Sequence, residues 1–187
     1  MTTDAAIRVV LADDHPIVRE GLRGMLAAEP GIEVVAEAAS GAEAVAVAAR
    51  YRPDVVLMDL RMPGGDGVTA TAEILAATPG ARVVVLTTYE TDADIVRAVE
   101  AGAVGYLLKD TPVAELGHAI RAAARGETVL ALVARGLTNA EIGHQLSITE
   151  ATVKTHLIRS FSKLGVNDRT AAVTSAIALG VLAAPGW

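Results

Sequence analysis

One short stretch limits what this chain can fold into: Asp54-Val55-Val56-Leu57-Met58-Asp59-Leu60-Arg61-Met62-Pro63-Gly64-Gly65-Asp66-Gly67. An apolar run ends in a carboxylate, and a loop rich in Gly and Pro follows. Such a run reads as a strand buried on both faces, as in a parallel sheet, with Asp59 at its carboxyl end. Open α/β sheets place their ligands at that end. A second acidic pair, Asp13-Asp14, closes an earlier apolar run, Ile7-Arg8-Val9-Val10-Leu11-Ala12. If the two strands are neighbours, three carboxylates converge, and that much negative charge calls for a cation.

The rest of the first 126 residues repeats the alternation. Ile7–Leu11, Ile32–Ala38, Val55–Asp59, Arg82–Leu86 and Gly105–Leu108 read as strands. Between and after them, helices are expected from Pro16 through Leu26 and over 41–50, 68–77, 91–101 and 113–125. Pro16 suits a first helical turn, and Val18, Leu22, Met25 and Leu26 share a face. Ser40-Gly41-Ala42-Glu43 has the pattern of a capping box, and Thr111-Pro112 marks the start of the last helix. Alternation of this kind gives a doubly wound, mostly parallel five-stranded sheet. With right-handed crossovers, the natural order is 2-1-3-4-5, which sets the first and third strands side by side.

From Leu130 onward the pattern is helical throughout. Helices are expected to end at Arg135, to span 139–146, to run from about Thr152 to Leu164, and to close the chain from Arg169 or Thr170 to about Leu179. The short turn Ser147-Ile148-Thr149 between two of them makes a helix-turn-helix candidate. The fold class is therefore α/β with a second, smaller all-α domain, divided as 6–126 and 130–183. Lys and Arg number 11 against 18 Asp and Glu up to Gly126, and 5 against 4 from there on. This asymmetry fits two units with different partners, or simple sampling in a small tail. There is no Cys, which excludes disulfides and thiolate metal sites. No apolar run reaches the ~18 residues of a membrane span. The expected location is the cytoplasm, without a membrane partner.

Asp13-Asp14, the Asp59 strand with Met62-Pro63 and Asp66-Gly67, Leu86-Thr87-Thr88 and Gly105-Tyr106-Leu107-Leu108-Lys109 together resemble the receiver domain of two-component response regulators, a flavodoxin-like fold. The resemblance implies that Asp59 is the phosphoacceptor, taking a phosphoryl group from a sensor histidine kinase. It implies Mg²⁺ held by Asp14, Asp59 and the backbone carbonyl of Arg61, with Asp13 acting mainly through water. Lys109 and Thr87 would bind the phosphoryl oxygens, and Tyr106 would be a switch residue that turns inward when Thr87 moves. For His15, a surface loop position is the plain alternative to a ligand role. Asp110 stands after Lys109 where receivers often carry a cis proline, so a trans bond is expected.

Gly136-Leu137-Thr138-Asn139-Ala140-Glu141-Ile142-Gly143, Ile148-Thr149-Glu150-Ala151-Thr152-Val153-Lys154-Thr155-His156 and Lys163-Leu164-Gly165-Val166 resemble the LuxR-type output domain of the NarL/FixJ class. This implies a recognition helix whose Lys154, Thr155, Ile158 and Arg159 face DNA, with Lys163 and Arg169 on phosphate. Val153, Leu157, Phe161 and Leu164 form a core stripe, and His156 either contacts phosphate or packs. The final helix, through Ala172, Val173, Ala176, Ile177 and Leu179, would be a dimer contact. Relative to this family, the linker and about two turns of the first output helix are missing near Leu130. Either a mobile linker is omitted from the sequence or the deletion is real, and intact mass separates the two.

The implied function is a phosphorylation-dependent transcription regulator, not an enzyme beyond slow autodephosphorylation. Its partners would be a histidine kinase, promoter DNA, RNA polymerase and, on activation, a second copy. One alternative is a stand-alone phosphorelay or sequestering protein with a non-functional output module. A metal-dependent phosphohydrolase is disfavoured, because Arg61 stands where such enzymes commonly need a second acid.

Overall fold

The computed structural model describes residues 5–63, 65–88, 97–146 and 148–178. They form two compact units, Met1–Arg125 and Gly126–Trp187. The first unit carries a five-stranded sheet. Its strands are β1 (Ile7–Ala12), β2 (Ile32–Ala38), β3 (Val55–Asp59), β6 (Arg82–Thr87) and β7 (Gly105–Leu108). Their order is β2-β1-β3-β6-β7 and every pairing is parallel, the 2-1-3-4-5 order expected from sequence.

Successive residues of a strand face opposite ways, so a sheet covered on both sides needs apolar residues at every position. Val9, Leu11, Val55, Leu57, Val84 and Leu86 point to one face. There they meet Leu22 and Leu26 of α1 (Pro16–Ala27) and Leu116, Ile120 and Ala123 of α4 (Val113–Ala124). Val10, Ala12, Val56, Met58 and Val83 point to the other. They meet Ala44 and Ala48 of α2 (Gly41–Tyr51) and Ala70 and Ile74 of α3 (Gly67–Ala77). Small alanines on α2 let that helix lie close to the sheet, which offsets the scarcity of aromatic residues.

Several local details depart from the sequence expectation. Met25 is 37% exposed, because the buried side of α1 is set by Leu22 and Leu26. The Ser40 hydroxyl accepts from the Glu43 N–H, but the Glu43 carboxylate reaches back to the Ala39 N–H, one residue earlier than the usual box. Pro112 occupies the N-cap of α4 and no side chain caps that end. The loop after β3 holds a small antiparallel hairpin, β4 (Arg61–Met62) with β5 (Gly65–Asp66). Of the helix expected over 91–101, positions 97–100 are helical, and 91–96 lie outside the described residues, as do Tyr89 and Gly64.

The second unit contains four helices among the described residues: α5 (Val129–Ala134), α6 (Asn139–Leu146), α7 (Glu150–Leu164) and α8 (Arg169–Ala178). α5 begins one residue before Leu130, where the helical pattern was expected to start, because the Thr128 hydroxyl accepts from the Ala131 N–H and supplies the cap. α6 opens with a reciprocal box. Thr138 donates to the Glu141 carboxylate from its N–H and its hydroxyl, each at 2.7 Å, and accepts from the Glu141 N–H. Leu132, Ile142, Val153, Ala172 and Ala176 are wholly buried. Ala172 and Ala176 therefore cannot form a dimer contact: small side chains there let α8 pack against α5 and α7. Phe161 and Leu164 are only half-buried, so the fully covered part of the α7 stripe is Val153 and Leu157.

Candidate phosphoacceptor site and nucleic-acid interface

β1 and β3 pair in register, with Ala12 opposite Met58, so the residues after both strands emerge side by side. Asp13 and Asp59 are buried there, 1% and 5% exposed, and Asp14 is partly covered. Lys109, just after β7, arrives from across the sheet. Its ammonium lies 2.6 Å from Asp13 Oδ2 and 2.7 Å from Asp59 Oδ2. Burial alone would depress the Lys109 pKa, but the hydrogen bonds and charges of the two carboxylates outweigh it and hold the group above its ordinary value. The lysine is therefore a fixed cation.

The neighbouring backbone is held as firmly. Asp59 Oδ1 accepts from the Arg61 N–H at 3.1 Å, which sets the turn that carries the Arg61 carbonyl. The Lys109 N–H donates to the Thr87 carbonyl at 2.9 Å, tying the ends of β6 and β7 together. Arg19 Nη1 donates to the Asp13 carbonyl at 2.5 Å. Asp66 caps α3 by accepting from the Val68 N–H, and its other oxygen pairs with Arg97. The Lys109–Asp110 bond is trans, like every peptide bond among the described residues. Tyr106 is buried, 8% exposed, so its ring already points inward in this structure.

Ligand atoms of Asp13, Asp14, His15 and Asp59 all lie within 4.8 Å of one another. Three carboxylates against the single ammonium of Lys109 leave the cluster short of positive charge, and oxygen donors are what a hard divalent cation takes. The residues present fit such an ion. His15 is the one member that sequence reasoning set aside; the only signal for it was adjacency to Asp13-Asp14.

In the second unit, α7 splits into two faces. Val153, His156 and Leu157 are buried, so His156 packs and does not project toward a ligand. Lys154 and Ile158 are exposed one turn apart. Lys154 reaches back to Glu150 at 3.2 Å, and Ile158 is 68% exposed. Thr155, Arg159 and Lys163 belong to the same helix, but their side chains lie outside the described residues. Arg169 donates to Asn139 Oδ1 at 2.9 Å and to the Leu137 carbonyl, so its guanidinium ties the start of α6 to α8.

Residues 9–121 match the family of response regulator receiver domains, and residues 123–176 match the luxR family of bacterial regulatory proteins. The chain is 40% identical to the uncharacterized transcriptional regulatory protein YxjL of Bacillus subtilis, over 94% of this chain and 97% of that one. It is 41% identical to the transcriptional regulatory protein LiaR of the same organism, over 91% and 96%. The aligned stretch with YxjL is 212 residues, longer than the 187 of this chain, so YxjL carries residues with no counterpart here. Among solved structures, the response regulator ChrA of a heme-sensing two-component system is 42% identical, with a TM-score of 0.57 over 95% of this chain and all of that one.

Proposed function

The chain belongs to the response regulators that join a receiver domain to a LuxR-type DNA-binding domain, and on that premise we propose that Asp59 is the phosphoacceptor that controls DNA binding by α7. The function is that of a phosphorylation-dependent transcription regulator. The observation that carries the assignment of Asp59 is its position: a nearly buried carboxylate at the carboxyl end of the central strand, gripped by Lys109 and facing Asp13 and Asp14.

A carboxylate is a weak nucleophile, so the site works by positioning and charge neutralisation. An Asp59 carboxylate oxygen attacks the phosphorus of a phosphohistidine on the kinase. The new O–P bond forms as the P–N bond breaks, and the departing imidazole nitrogen keeps the electron pair. Lys109 then moves its contact from the Asp59 carboxylate to the phosphoryl oxygens. Thr87 donates its hydroxyl to the same group, and Tyr106 stays packed behind it. Asp13, Asp14, Asp59 and the Arg61 carbonyl would hold Mg²⁺. When bound, the cation neutralises charge on the phosphoryl oxygens. Hydrolysis of the acyl phosphate, where it occurs, resets the switch slowly and makes the chain no enzyme in the ordinary sense.

On the output side, Lys154, Thr155, Ile158 and Arg159 would meet base edges in the major groove of promoter DNA, with Lys163 and Arg169 near phosphate. Phosphorylation shifts the population toward a homodimer that spans two half-sites, with RNA polymerase as a further partner. None of the described helices is long and apolar enough to cross a membrane, which supports a cytoplasmic location. The test is a gel shift with genomic promoter fragments, with and without a small phosphodonor. The phosphorylated chain should retain specific fragments that the Asp59→Asn variant does not. Equal retention by both would overturn the assignment.

A further inference from the structure

Arg19 lies in the first turn of α1, and its side chain is largely covered, 17% exposed. Its guanidinium is turned to backbone and to β2. Nη1 donates to the Asp13 carbonyl at 2.5 Å, and Nε lies 3.4 Å from Glu37 Oε2. Glu37 stands on β2 opposite Leu11, and its other oxygen lies 3.4 Å from Arg23 Nε. The Glu37 carboxylate therefore anchors the Arg19 fork and offsets its charge.

These contacts fix one peptide plane. β1 pairs with β2 as far as Ala12, and the Asp13 N–H still donates to the Ala38 carbonyl at 3.0 Å. The next peptide, which joins Asp13 to Asp14, lies beyond the strand, and Arg19 holds its carbonyl. A peptide unit is planar, so fixing the Asp13 carbonyl also fixes the Asp14 N–H and narrows the directions open to the Asp14 side chain. Asp13 has other anchors, since its carboxylate accepts from the His15 N–H at 2.8 Å and meets Lys109 at 2.6 Å. Asp14 touches the ring of His15, which is itself 64% exposed, so its aim depends on its backbone. Resting on the reading above that the acidic cluster holds Mg²⁺, we propose that Arg19 is a positioning residue for phosphoryl transfer: through the Asp13 carbonyl it aims the Asp14 carboxylate before the ion arrives.

Groups that orient metal ligands in this way contribute about 10- to 100-fold to metal affinity. Charge alone predicts the opposite sign, because a guanidinium near the cluster repels a divalent ion and its removal would tighten binding. The full chain is titrated with Mg²⁺, followed by amide shifts in nuclear magnetic resonance spectra, for the wild type, Arg19→Met and Arg19→Lys. The rate of phosphorylation by acetyl phosphate is measured over the same range of Mg²⁺. In Arg19→Met the Mg²⁺ Kd should rise about tenfold or more, and the half-saturating Mg²⁺ for phosphorylation should rise with it. The rate at saturating Mg²⁺ should stay within about twofold of the wild type, because the bound ion itself draws Asp14 into place. Arg19→Lys keeps the charge but cannot hold the carbonyl and Glu37 together, so its Kd should fall between the two. An unchanged or tighter Kd in Arg19→Met would overturn the positioning role and leave the cation site standing. Should Arg19→Met fail to fold, a wild-type Kd in Arg19→Lys would overturn the role and a raised one would support it. A wild type that binds no Mg²⁺ would overturn the cation reading, and this role with it.

Discussion

Gly67 gives the sharpest handle on how Asp59 is held. A Cβ built on Gly67 would sit 2.3 Å from the Asp59 carbonyl oxygen and 2.8 Å from the Leu60 Cα. Both neighbours are backbone, so no side-chain rotation relieves the clash. Ordinary separations between such heavy atoms are roughly 3.5 Å, so in Gly67→Ala either the end of β3 or the start of α3 must move by about 1 Å. Overpacking of this kind costs about 1–3 kcal/mol. A unit of this size loses roughly 4 °C in Tm per kcal/mol, so a fall of ~4–12 °C is expected. The same displacement moves Asp59 away from Lys109, and an error of about 1 Å in a reacting group can slow transfer on the order of a hundredfold. Thermal unfolding of the full chain and the rate of phosphorylation by acetyl phosphate, resolved on a phosphate-affinity gel, read both effects. A variant with Tm unchanged and a rate within about twofold of the wild type would refute the reasoning, since the strand end would then yield at no cost.

Gly143→Ala should act on the other unit, because its Cβ would lie 2.7 Å from the Ile148 carbonyl oxygen and would push apart the turn between α6 and α7. Specific DNA retention should fall at least about tenfold while the phosphorylation rate stays that of the wild type; intact retention would show the turn to be loose. Lys109→Met leaves the buried Asp13 and Asp59 without their cation, so stability in chelator-treated buffer should fall by about 3 kcal/mol and partly recover when a divalent ion is added. Chemical denaturation with and without the ion measures this, and an undiminished midpoint in chelator would contradict it. Glu141 carries a lowered pKa, chiefly through its hydrogen bond from the Thr138 N–H. Its contribution is therefore present above the unfolded-state pKa and is lost as pH falls through the folded one. The Tm gap between the wild type and Glu141→Gln should be open at neutral pH and closed in acid, and a gap that widens in acid would reverse the sign.

The sheet was legible because it is buried on both sides: apolar runs such as Val55–Met58 leave little choice but a parallel interior strand, and the runs fix the order once crossovers are right-handed. The convergence of Asp13, Asp14 and Asp59 followed from that order, whereas Lys109 came only from the resemblance to receiver domains. What sequence reading missed depended on single contacts. Thr128 starts α5 early through one hydroxyl, which no periodicity reveals. Ala172 and Ala176 looked like an exposed apolar face, because alanine is compatible with either side of a helix; packing against α5 and α7 decides it. Met25 was placed on the buried face by spacing alone, though it lies at that face's margin. His15 is a neighbour of the acidic pair in sequence, but only the structure shows its ring nitrogen Nδ1 turned to Asp14 Oδ1 at 2.8 Å.

The position of the phosphoryl group decides whether Asp59 is the switch. The acyl phosphate formed by a competent donor can be reduced with borohydride and its position read by mass spectrometry of peptides from the full chain. A homoserine at position 59 in place of aspartate, absent from untreated protein, is the predicted result; label at any other residue, or none with Asp59 intact and the fold preserved, would contradict it.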